Sequence, residues 1–134
     1  MLVTLYRVET KVPNDRGEYI GPWSSGAIYQ YDKVAADRPA LHPSPGEEFT
    51  NYLNSELRKR HWCCATQTIE KLLEWFPSAD GRKEMEDAGM VCRKITIDSV
   101  HVAHANMQSL FNAREVIERV EYEKPLSEIH KEYA

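Results

Sequence analysis

Residues 61–76, HWCCATQTIEKLLEWF, change side-chain period part-way and so point to the fold class. The first six of these are short, apolar and bounded, which predicts a strand. From Gln67 the period changes: Ile69, Leu72, Leu73 and Phe76 recur at three and four and share one face of a helix. Thr66 or Thr68 stands where an N-cap belongs, and Pro77 ends the helix. A strand passing so directly into a helix has the short link of a βαβ unit. That link lacks the glycines of a dinucleotide-binding turn. No other pair in the chain has this form. The expectation is an α+β fold, a small mixed or antiparallel sheet with helices packed on it.

Upstream, residues 2–10 read as a first strand with Val3, Leu5 and Arg7 on one face and Leu2, Thr4, Tyr6 and Val8 on the other. Both faces are largely apolar, which places this strand inside a sheet and leaves Arg7 as its odd member. Residues 11–45 are broken by proline and glycine every few positions and hold Tyr19, Trp23, Tyr29 and Tyr31. They predict a long irregular aromatic loop, with a short strand or turn near 27–31. A helix opens at Ser44-Pro45-Gly46-Glu47-Glu48, repeats Phe49, Tyr52, Leu53 and Leu57, and closes on Arg58-Lys59-Arg60.

Downstream, Ser78 caps a helix through Met85, and Gly89 sits where a helix-ending glycine belongs. Residues 90–97 alternate Val91, Arg93, Ile95 and Ile97 with Cys92, Lys94 and Thr96, a strand with one wet face. Residues 99–103 extend it after a turn, 106–111 form a short strand, and 112–120 read as a helix. The tail from about 121 to 134 reads as a loosely docked last helix. The whole, residues 1–134, is one domain.

Composition narrows the function classes. With 21 acidic against 17 basic residues and a formal charge of −4, the chain does not suit bulk neutralisation of nucleic-acid phosphates. Residues 1–10 are too short and too charged for a signal peptide, and no apolar run reaches membrane-spanning length, so the expected location is the cytoplasm. Cys63, Cys64 and Cys92 do not make a disulfide framework and read as free thiols. The sequence has no GxSxG elbow, phosphate-binding loop or HExxH motif. His101 and His104 have metal-like spacing but diverge on a strand or turn, so no metal is expected. A Cys–His pair from Cys63 or Cys64 with His61, His101 or His104 is geometrically open, with nothing local to mark an activated thiolate.

The sharper pattern joins three strands. Arg7 lies on the first, Thr66 at the strand-to-helix junction, and Gln108 on a late short strand. This order, a cation, a hydroxyl, then an acid or amide, resembles the ADP-ribosyltransferase-like fold. The chain also resembles a group of small phage and prophage proteins. The matches are Tyr6-Arg7-Val8-Glu9, Gly21-Pro22-Trp23, Leu72-Leu73-Glu74-Trp75-Phe76 and Gln108-Ser109-Leu110-Phe111, across most of residues 4–112.

The transferase resemblance implies an NAD or ADP-ribose-like nucleotide as cofactor. Arg7 would contact its pyrophosphate or ribose as a forked donor. Thr66 would shape the strand beside the nicotinamide ribose, and Trp23 and Tyr29 of the aromatic loop would stack on the ligand. Gln108 takes the catalytic position, where the family normally has glutamate; an amide brings no negative charge to an oxocarbenium-like centre. Each residue also has a structural reading: Arg7 as a snorkelling or ion-paired sheet residue whose head finds Glu9 or an Asp, Thr66 as a helix cap, Gln108 satisfying neighbouring backbone, and the loop as a lid over core. The expected function is that of a phage-type protein binding an NAD-related nucleotide, with transfer to a host factor weakened by Gln108. The alternative is a non-enzymatic protein that binds a host component through Tyr and Trp anchors.

Overall fold

The computed structural model describes residues 1–22, 49 and 61–129. The predicted helix over 44–60, the turn near 27–31, and Trp23 and Tyr29 lie outside the described residues. Within them the chain forms β1 (Leu2–Thr10), β2 (Trp62–Ala65), α1 (Ile69–Trp75), α2 (Ala79–Asp87), β3 (Met90–Asp98), β4 (Val102–His104), β5 (Ser109–Asn112) and β6 (Glu118–Glu121). The strands make two antiparallel three-stranded sheets, ordered β1-β3-β6 and β2-β5-β4. This is the expected α+β class.

The first sheet carries a core on each face. On one side Val8, Met90 and Cys92 pack against Ile69, Leu72, Leu73 and Phe76 of the α1 segment and Met85 of α2. On the other, Leu5, Ile95 and Ile97 meet Ala65 and Phe111 of the second sheet. The alternation of β1 and β3 dictates this division, because paired residues such as Leu5 and Ile95 share a face. Helices, first sheet and second sheet are thus three layers around two cores.

Local chemistry fixes the helix ends. Thr68, one of the two candidate caps, accepts from Lys71 N at 3.1 Å, while Ser78 accepts from Gly81 N at 2.8 Å. Gly89 adopts φ +93° to turn the chain from α2 into β3, a conformation that a side chain would disfavour. Arg82 is buried and donates to the carbonyls of Phe76, Leu126 and Ile129, tying the end of α1 to the 126–129 segment.

Several expectations are corrected. Among the described residues β1 is an end strand of its sheet, not an interior one; its other edge takes a bridge to Thr66 and a bond from Thr10 N to Ile20 O. The wet face of β3 is wet only at one end, because the helices bury Met90 and Cys92. The helix expected over 112–120 is a 3₁₀ turn at Ala113–Glu115 followed by β6, whose register on β3 runs from Arg93–Glu121 to Thr96–Glu118. The strand expected at 106–111 begins later, at Ser109. Residues 99–101 form a 3₁₀ turn before β4. Over the described part of the tail, residues 121–129, the structure has the end of β6 and a 3₁₀ turn at Leu126–Glu128 in place of a last helix, with Leu126 and Ile129 buried.

Candidate functional site

Glu9 organises the most charged interior region of the described chain. It is fully buried, on the β1 face that looks toward the second sheet. Arg7 Nε donates to its Oε1 at 3.0 Å and Arg93 Nε to its Oε2 at 3.1 Å. Arg119 Nη1 reaches both carboxylate oxygens, at 2.6 Å from Oε1 and in closer contact with Oε2. The sheet register brings these groups together: Arg7 stands directly opposite Arg93, and Arg119 opposite Ile95 on the next strand. Two like charges opposite one another are unfavourable by themselves, and the diagonal Glu9 carboxylate is what lets them share a face.

Further donors of Arg7 and Arg93 are tied to backbone. Arg7 Nη1 donates to Cys64 O at 2.6 Å and Nη2 to Tyr19 O at 3.4 Å, while Arg93 Nη2 donates to the Thr10 and Lys11 carbonyls. The Tyr19 ring lies 4.3 Å from Arg119 Cζ and 5.2 Å from Arg93 Cζ, in cation–π range of both. Gly21 closes against this cluster; a Cβ there would sit 3.1 Å from Arg7 Nη2.

The other sequence-predicted residues lie elsewhere. Thr66 joins β1 through two backbone bonds with Tyr6, and its hydroxyl contacts the Tyr6 and Thr68 carbonyls. The helix cap is Thr68. Gln108 is buried and lines a groove of about 270 Å³ between the start of α1 and residues 105–109. Trp75 Nε1 donates at 2.9 Å to the carbonyl of Met107, one of the lining residues. Neither Arg7 nor Thr66 lines the groove, so it does not unite the three predicted residues.

The thiols and imidazoles are separately placed. Cys63 packs toward the core shared by the sheets, and Cys92 lies in the helix-side core, where burial pushes its thiol up to about 12. His104 Nδ1 meets Ser109 Oγ at 2.7 Å, but Ser109 is fully buried and offers no nucleophile to solvent. His101 faces Glu115 at 3.6 Å. Among the described residues no group of three or more His, Cys, Asp or Glu is arranged to hold a metal, and no helix is long and apolar enough to cross a membrane.

The family model for the bacteriophage T4 Y00F protein matches residues 1–125. The chain belongs to that family. The match spans every strand and helix described above, including the Glu9 cluster and the Gln108 groove. No curated protein and no solved structure matches this Y00F-family chain. The resemblance to phage proteins is therefore borne out as a family, whereas no likeness to the ADP-ribosyltransferase fold is found.

Sequence reading found Arg7 but missed Arg93 and Arg119 as its companions. The signal was present for Arg93, which alternates in phase with Ile95 and Ile97 on the dry side of β3. Arg119 was hidden by the helical reading of its segment.

Proposed function

We propose that this Y00F-family protein acts by binding, holding a host or phage-derived partner in the infected cell without transforming a substrate itself. The observation that carries this reading is the engagement of Arg7. The forked donor that a nucleotide pyrophosphate would require is occupied by Glu9 Oε1, Cys64 O and Tyr19 O. Gln108 supports it as well: an uncharged amide in a groove that lacks Arg7 and Thr66 is a poor centre for oxocarbenium chemistry. An NAD-related nucleotide remains the alternative ligand, and the same experiment addresses it.

The test incubates the purified full chain with NAD and with fractionated extract of infected cells. NAD loss and ADP-ribose transfer are followed beside complex formation on a sizing column. The expected result is a defined partner co-eluting in stoichiometric amount while NAD stays constant. NAD consumption that disappears in Gln108→Ala would overturn the binding reading in favour of the transferase one.

A further inference from the structure

Among the described residues, the Glu9 cluster is electrically unbalanced. Three guanidinium groups meet one carboxylate, a surplus of two positive charges, on arginine side chains no more than 14% exposed. The nearby acid Glu121, opposite Arg93 in register, pairs with Lys11 at 3.4 Å and leaves that surplus in place. The three arginines are also unequally occupied. Arg7 uses all three of its nitrogens, and Arg93 uses Nε and Nη2. Arg119 spends only Nη1, on Glu9; its Nε and Nη2 have no hydrogen-bond partner among the described residues. The Tyr19 ring lies beside both Arg119 and Arg93, so one side of the pair is walled by an aromatic ring.

We propose that Arg119, with Arg93 beside the same Tyr19 ring, is an anion site that takes a phosphate group. Two adjacent N–H donors on one rigid guanidinium match two oxygens of a phosphate. The charge decides between anions: a phosphate dianion cancels a surplus of two, whereas a single carboxylate leaves half of it. Partial burial strengthens the attraction, because the surrounding medium screens it less than water does. This inference rests on the binding reading above and supplies the ligand chemistry that reading leaves open. The phosphate comes either as the free ion or on a nucleotide.

The test titrates the full chain with sodium phosphate, with AMP, and with sodium chloride at matched ionic strength. It follows thermal unfolding and the arginine Nε–H signals in nitrogen-15 NMR. Phosphate and AMP should raise the Tm and move the Arg119 signal, while chloride should do neither. Arg119→Gln should weaken phosphate binding by about tenfold or more. Tighter binding of AMP than of phosphate would identify a nucleotide; equal binding would identify the free ion. Phosphate acting no differently from chloride would overturn the site, as would wild-type phosphate affinity in Arg119→Gln. Should that variant not fold, Arg119→Lys keeps the charge, loses the fork and serves the same comparison. A chain indifferent to phosphate that still forms its stoichiometric complex loses the site and keeps the binding reading. NAD consumption removes the binding reading whatever phosphate does.

Discussion

Glu9 and Cys92 are both buried acids, and opposite surroundings give them opposite consequences. Glu9 is fully enclosed and hydrogen-bonded by three arginines. Replacing one partner of such an array leaves the others charged and unpaired, which costs far more than the array contributes over an apolar substitute. Glu9→Gln should therefore destabilise the protein by about 3–5 kcal/mol in urea unfolding. Arg119→Gln, which leaves Glu9 with two cations and alters the most exposed arginine of the three, should cost clearly less. Cys92 has no cation strong enough to offset its burial; desolvation, then the charges of Glu123 and Glu9, push its thiol up to about 12. In the unfolded chain the thiol ionises near its ordinary 9.0, so between these values the folded state holds the proton that the unfolded state releases. Stability from this group is complete below the lower value and falls as pH rises, by about 1.4 kcal/mol per pH unit at most. Cys92→Ala removes that dependence. The wild type should lose more stability than the variant between pH 8 and pH 11, and parallel losses would show that the thiol contributes none of it.

Elements were legible where a side-chain period ran long enough to be unambiguous. β1, α1 and β3 were read close to their observed bounds from apolar residues at the two-residue or the three- and four-residue spacing, and α2 from its Ser78 cap and Gly89 instead. Residues 112–120 failed because Val116, Ile117 and Val120 fit a helical spacing as well as a strand, and β6 has only four residues to state its period. Pairing was less legible than type. That Arg7 would face Arg93 depends on the β1–β3 register, which residues far apart in the chain set together. The site was half legible for the same reason: Arg7 stood out as a cation in a dry strand, but its partners lie 84 and 110 residues from Glu9. Arg82 shows the same effect on α2. Its guanidinium holds three carbonyls from two other segments, a role that helical spacing does not announce. Arg82→Met keeps the apolar stem and removes the donors, leaving buried carbonyls without that partner. The expected loss is about 3 kcal/mol or more, with early exposure of residues 126–129 to hydrogen exchange. Loss of stability without that local exposure would place the contribution of Arg82 in α2 alone.

At the scale of the whole molecule, the first sheet is a wall common to two cores that share no buried residue. Leu5, Ile95 and Ile97 line one side, while Val8, Met90 and Cys92 line the other. Because these residues alternate along the same two strands, neither core can open without losing the β1–β3 ladder that supports its neighbour. The two layers should unfold together. Leu5→Ala opens space in the core against the second sheet and Met85→Ala in the core against the helices; each should lower stability by about 2–5 kcal/mol. Trp62 on β2 and Trp75 on α1 report the two sides separately. With the other two tryptophans, Trp23 included, replaced by phenylalanine in each reporter, both signals should follow one denaturant midpoint, and either core substitution should move both by the same amount. A Leu5→Ala variant in which the Trp62 signal shifts while the Trp75 signal stays would show that the wall does not couple the cores. The second sheet would then be a separately folding unit resting on the Glu9 cluster and the Tyr6–Thr66 bridge.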